Sequence, residues 1–238
     1  MGARTWSRAG TLTLAMVVLT LGAQVGSAKT RSTYAPHIDK AEFQATVDHP
    51  YFPLVPGTRY SYRETAGKKV SDCETTVMSE TKIIMGVTCS VVHDVLKSGG
   101  EVIEDTYDWY AQDKAGNVWY FGEDTKEYGP NGHVDTEGSW QGGVGGAQPG
   151  ILMPASIVKG QPYRQEYLRG HAEDMGQIVG IGEAVKVHAG AYTDCVRTKD
   201  WSMLEAGHEF KWYARGVGMV RSESASKEVS ELLSVVHP

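Results

Sequence analysis

Cysteine is scarce in this chain, three residues in 238, so no dense framework of cross-links holds it. About 210 residues remain after the first 28, enough to bury a core without staples. The signatures of familiar catalysis are missing too: HExxH, CxxC, GxSxG and an EF-hand loop do not occur. Gly138-Ser139-Trp140-Gln141-Gly142 sets its serine one place too early for a nucleophile elbow. The Gly-rich run near residue 143 lacks GxGxxG and no Lys-Ser/Thr follows it, which speaks against a phosphate cradle. These absences speak against familiar hydrolases without excluding an enzyme.

What is present begins with an export signal. Arg4 and Arg8 precede the apolar run Leu12 to Leu21, and Gly26-Ser27-Ala28 precedes the polar Lys29-Thr30-Arg31, the order of a secretory leader cut after Ala28. The run is shorter than the roughly 20 residues a spanning helix needs, and nothing later is continuously apolar. No cysteine follows it to take a lipid. The expectation is a secreted or periplasmic protein, in an oxidising compartment, with no stable membrane insertion after cleavage. The leader removes two arginines and no acid, leaving 21 basic side chains against 29 acidic ones. That balance disfavours nucleic acid and anionic membrane surfaces as partners.

Residues 29–48 are polar and without period, and read as a tail or an edge-covering segment. Residues 49–238 read as one β domain. His49-Pro50-Tyr51-Phe52-Pro53-Leu54-Val55-Pro56-Gly57 is a proline-punctuated loop, since each proline fixes φ and biases its predecessor toward extended backbone. Period-two patterning follows: Tyr60 and Tyr62 alternate with Arg59, Ser61 and Arg63, and turns are expected at Ala66-Gly67, near Glu80-Thr81, at Ser98-Gly99-Gly100 and at Asp113 to Asn117. Val77, Met85, Val87, Cys89 and Val91 are expected to share one apolar face.

The chain then begins again in its pattern. Pro56-Gly57-Thr58-Arg59-Tyr60 is echoed by Lys159-Gly160-Gln161-Pro162-Tyr163, Gly86…Cys89…Asp94 by Gly190…Cys195…Asp200, and Asp108-Trp109-Tyr110-Ala111 by Lys211-Trp212-Tyr213-Ala214. The reading is two diverged copies of a β meander, residues 56–121 and 159–224, joined by a Gly-rich connection over 122–158. An all-β antiparallel fold follows, closing into a barrel or packing as two curved sheets.

Two groups of residues are candidates for a site. The aromatic stock, Trp109, Trp119, Trp140 and Trp212 with Met153 from the Ile-Leu-Met run, would wall and cover a cavity for a small or lipid-like ligand. The polar cluster is Arg164 and Glu166 with His171, Glu173 and Asp174. On a strand Arg164 and Glu166 share a face, and such carboxylates either hold a hard cation or serve as acid and base. Plain core packing and ordinary ion pairs are the bland alternatives. For the thiols, a hairpin turning at Thr81 would set Cys73 opposite Cys89 as a disulfide, with Cys89–Cys195 the competing pair.

His49-Pro-Tyr-Phe-Pro-Leu-Val-Pro-Gly57, Asp108-Trp-Tyr-Ala-Gln-Asp113, Gly116-Asn-Val-Trp-Tyr-Phe-Gly-Glu123 and Tyr163-Arg-Gln-Glu-Tyr167 resemble segments of a family of bacterial secreted β-rich proteins with no established activity. The resemblance implies export and a bacterial source and brings no catalytic residue or cofactor with it. The function expected is an exported binding protein for a small-molecule ligand. A carboxylate or metal-assisted enzyme around Glu166, Glu173 and Asp174 is the alternative, and an envelope interaction module without a pocket is the third.

Overall fold

A computed structural model describes residues 34–238; the leader and its cleavage site lie outside them. The strands are β1 (Phe43–Gln44), β2 (Val47–His49), β3 (Phe52–Leu54), β4 (Arg59–Ala66), β5 (Lys69–Ile84), β6 (Val87–Ser98), β7 (Glu101–Asp113), β8 (Val118–Tyr128) and β9 (Val134–Asp135). They continue with β10 (Trp140–Gln141), β11 (Gln148–Met153), β12 (Pro162–Arg164), β13 (Glu166–Tyr167), β14 (Asp174–Val187), β15 (Gly190–Ser202), β16 (Glu209–Ala214), β17 (Gly218–Ser224) and β18 (Val229–Val236).

The main sheet is antiparallel and runs β12-β14-β15-β16-β17-β18-β4-β5-β6-β7-β8-β11-β13. Its two ends belong to one short segment. Pro162 to Arg164 pairs with β14, and Glu166-Tyr167, one residue further on, pairs with β11. Residues 162–167 therefore bridge the sheet's edges and bring it nearly to a closed barrel, leaving little unpaired edge. Gly150 makes this crossing possible, because a Cβ there would run into the backbone of Gln165.

The hairpin turns show why glycine marks them. Gly99 and Gly100 both have positive φ, as a two-residue turn matched to strand twist requires. The expected turn at Glu80-Thr81 is displaced: β5 runs on to Ile84, and the chain reverses at Met85 and Gly86, with φ 50° and 80°. The shift changes the register by an odd number of residues, so it exchanges faces. Cys73 stands opposite Leu96, on the lumen side with Val77, while Cys89 stands opposite Lys82 and packs outside with Val87 and Val91. The expected apolar face is thus split between the two sides of the sheet. All three cysteines are free thiols; the Cys73–Cys89 disulfide is ruled out by this register, and Cys89–Cys195 is not formed.

The lumen is filled in part by the chain's own N-terminal loop. β2 and β3 pair as a small second sheet, and Val47, Tyr51 and Leu54 are buried in one cluster with Tyr60, Val77, Val92, Ile178, Val196, Val220 and Leu232 from strands around the barrel. Gln112 fixes this hairpin from β7 by donating to Asp48 Oδ1 at 2.7 Å while its own carbonyl accepts from the Asp48 amide at 2.9 Å. A second core lies on the outer face. There Ile38 and Phe43 cover Ile84, Val87, Cys89, Trp109 and Phe121, with the Phe43 ring edge-on to Trp119 and Phe121. The segment 122–158 is ordered against β8: Trp140-Gln141 pairs with Glu123-Gly122, and Met153 is fully buried.

Candidate functional site

Beside the apolar plug the lumen holds a cavity of about 230 Å³. Phe52, Pro53 and Leu54 line it from the plug hairpin, and the inward-facing positions of the strands supply the rest. Its lining carries ten carboxylates, five tyrosines and a single lysine among the described residues, set among apolar side chains such as Phe52, Leu54, Val77, Val92 and Met219, so the interior is a mixed surface, apolar with acidic groups placed in it. β7 shows how the sequence builds this. Its even positions Glu104, Thr106, Asp108, Tyr110 and Gln112 turn to the lumen, and its odd positions Trp109 and Ala111 turn to the outer core.

Lys211 on β16 reaches Asp200 Oδ2 at 3.2 Å and Glu209 Oε2 at 3.3 Å. Burial alone would push its ammonium pKa down, but Glu209 and Asp200 outweigh this and hold it well above its ordinary value. Burial pushes Glu209 up as well, with Lys211 and Ser222 working against it. Tyr120 donates to Asp108 Oδ1 at 2.7 Å and stacks on Tyr110 at 5.1 Å. Burial holds both phenols well above their usual pKa, so they remain neutral donors.

Glu166 sits where β13 closes the barrel and is 1% exposed. Its Oε2 has no hydrogen-bond partner, and neither has Trp140 Nε1. Burial first, then the charges of Asp174 and Glu123, push the Glu166 carboxyl well above the usual range, with Trp140 opposing. Asp174, at the start of β14, is raised to about 6 by burial and by Asp200 and Glu205, against Ser202 and Lys211.

The polar residues singled out in the sequence therefore separate. Glu166 and Asp174 both line the cavity. Arg164 lies outside it, stacked near Tyr34 and Tyr167 and 4.0 Å from Glu173, and Glu173 accepts from the Gly170 amide. His171 occupies the tight turn between β13 and β14, hydrogen-bonded through its backbone to Leu168. The expectation that Arg164 and Glu166 share a strand face fails because the segment changes partner strand at Gln165, which breaks the alternation. Among the described residues no group of three His, Cys, Asp or Glu side chains is arranged to hold a metal ion.

The tryptophans lie elsewhere. Trp109 and Trp119 belong to the outer core. Trp212 points outward, its Nε1 donating to Glu183 at 2.9 Å between Arg197 and Arg221. Trp140 packs behind Tyr120, edge-on at 5.2 Å, and Met153 is in the main core. None of these five touches the cavity. Its rings are Phe52, Tyr60, Tyr62, Tyr110, Tyr120, Trp201 and Tyr213. The sequence held a clue to them: Tyr60 and Tyr62 fall at alternate, same-face positions of β4, and Tyr110 and Tyr120 stand opposite each other on β7 and β8.

No family model and no curated protein sequence matches the chain. Two solved structures are similar. An exported protein with a YmcC-like fold from Bacteroides fragilis matches 79% of this chain and 99% of its own, at 16% identity and a TM-score of 0.47. A lipoprotein from Parabacteroides distasonis matches 81% of this chain and all of its own, at 14% identity and a TM-score of 0.38. No helix among the described residues is long and apolar enough to cross a membrane.

Proposed function

We propose that the chain is an exported small-molecule-binding protein whose ligand occupies the barrel cavity. The observation that carries this is the lumen itself. One part is packed with the plug hairpin, and the part beside it is an open space of about 230 Å³, below the roughly 300–1,000 Å³ of drug-sized sites. A protein built only for stability would close such a space with apolar side chains, because cavities cost free energy. Here the space is left open, and polar groups stand among the apolar and aromatic side chains that line it, the mixture that ligand sites carry. The acidic lining turns the reading away from fatty acids and other anionic lipids. Export rests on the leader, and the duplication stays part of the proposal, supported by the sequence echoes.

The enzymatic alternative keeps one supporting observation, two buried carboxylates, Glu166 and Asp174, in one cavity with raised proton affinity. It no longer includes Glu173. The test of the binding reading is native mass spectrometry of protein purified from its own host. A retained small molecule, lost on denaturation, is expected; bare mass in every preparation, with no small molecule shifting the melting curve, refutes it.

A further inference from the structure

We propose that the barrel's seam is a proton-linked closure: β13 lies against β11 with the Glu166 side chain protonated, and the seam opens with release of that proton. The inference concerns how the lumen is shut and does not depend on what the cavity binds.

The seam is the shortest pairing along the main sheet's path. β13 contributes two residues to it, Glu166 opposite Pro149 and Tyr167 opposite Gln148, and Pro149 has no N–H to give the ladder. On the other side of the crossing, β12 pairs with β14 over three residues. Outside the barrel Tyr34 spans the joint, donating to the Pro149 carbonyl at 3.2 Å and standing edge-on to Tyr167 at 5.9 Å.

Into this joint the fold sets a carboxyl that is 1% exposed. The groups that face it from other elements are acids and rings: Asp174 at the start of β14, Glu123 on β8, Asp108 on β7, the Tyr120 phenol and the Trp140 indole. The nearby cations serve other partners. Lys211 sits between Asp200 and Glu209, and Arg164 turns outward to Glu173, its hydrogen bond to Glu166 going to the backbone carbonyl at 3.5 Å. An ionised carboxylate buried among like charges is costly, and such a group takes up a proton instead. The Trp140 indole favours the ionised form but is outweighed by burial. In the open seam, water solvates the carboxylate and the constraint disappears. Below about pH 4.5, the ordinary value for this carboxyl, the side chain is protonated whether the seam is open or shut. Above it the open form ionises and the shut form does not, so opening becomes easier with rising pH until the shut form ionises too. Because Gln165 and Glu166 line the cavity, opening the seam also uncovers the lumen.

The test is amide hydrogen exchange of the purified protein and its Glu166→Gln variant, read by mass spectrometry at matched pH from about 4.5 to 8, so that the intrinsic pH dependence of exchange cancels in the ratio. In β11 and β13 the wild-type opening constant, relative to the variant's, should rise by up to about tenfold per pH unit and then level off. The β18–β4 pairing, farthest from the seam in strand order, should show no such rise. A flat ratio in β11 and β13 overturns the proposal. An equal rise in β18 and β4 overturns it as well, since global unfolding and not the seam would then release the proton. Should the variant not fold, the wild type decides alone: corrected for intrinsic exchange, its opening constants in β11 and β13 must climb with pH more steeply than those in β18 and β4, and parallel profiles refute the seam.

Discussion

Asp174 offers a sharp test of the lumen's electrostatics. Its pKa is raised from 3.8 to about 6, first by burial and then by Asp200 and Glu205, against Ser202 and Lys211. The folded state therefore holds the proton more tightly than the unfolded chain. Below about pH 4 the carboxyl is protonated in both states and imposes no penalty. As pH rises from about 4 to about 6 the unfolded chain releases the proton while the native state retains it, so stability falls through that window and stays low above it. A shift of roughly two units at about 1.4 kcal/mol each corresponds to about 3 kcal/mol, and partial solvation of the cavity lowers it to about 1–3 kcal/mol. Asp174→Asn keeps the shape and a partner for Ser202 but cannot ionise, and Lys211 retains Asp200 and Glu209. The variant should be more stable than wild type by that amount at pH 7.5, a rise of roughly 3–10 °C in melting temperature for a chain of this size. The gain should vanish near pH 4. The assay is thermal denaturation of both proteins from pH 4 to 8 at constant ionic strength, where titrations common to both cancel in the difference. A pH-independent difference, or a variant less stable than wild type at pH 7.5, refutes the reasoning.

Other consequences are simpler to state. Trp109→Ala empties the outer core where Lys82 caps the ring at 3.2 Å; it should cost ~3–5 kcal/mol in denaturant unfolding, Trp212→Ala distinctly less, and neither should alter ligand affinity, because both rings face away from the lumen. The thiols should be inert: burial pushes Cys89 up to about 12 and Cys73 well above its usual value. Maleimide should therefore label neither before unfolding, and a reductant should leave the melting temperature unchanged. Gly150→Ala should loosen the barrel seam by at least ~1–3 kcal/mol, seen as faster amide exchange across β11 and β13; unchanged exchange would show that the crossing has room for a side chain.

Much of the fold was legible from the chain. The turns at Ala66-Gly67, Ser98-Gly99-Gly100 and Asp113–Asn117 stand where the strands break, because each needs positive φ or a small polar side chain that advertises itself. The turn at Met85-Gly86 carries no such mark on its first residue. One misplaced turn reverses the faces of everything paired across it, which is how a plausible Cys73–Cys89 bridge arose from a register the chain does not adopt.

The site was harder to see for a different reason. Sequence patterning equates polar with wet, and on β7 that equation is inverted: Glu104, Thr106 and Asp108 are the buried positions, while Trp109 and Ala111 face outward. The outward residues are buried in a cluster that Ile38 and Phe43, some seventy positions earlier, help to cover. Parity of position could show that β7 has two faces but not which one is lumen, since both carry aromatic rings. The deciding fact is tertiary. Closure by residues 162–167 turns one face of every strand into an interior, and the Pro-rich hairpin fills only part of it. What remains must be lined by whatever that face carries, and it carries acids. Glu166 comes to notice only there, because its burial is a property of the nearly closed barrel and not of any local run of residues.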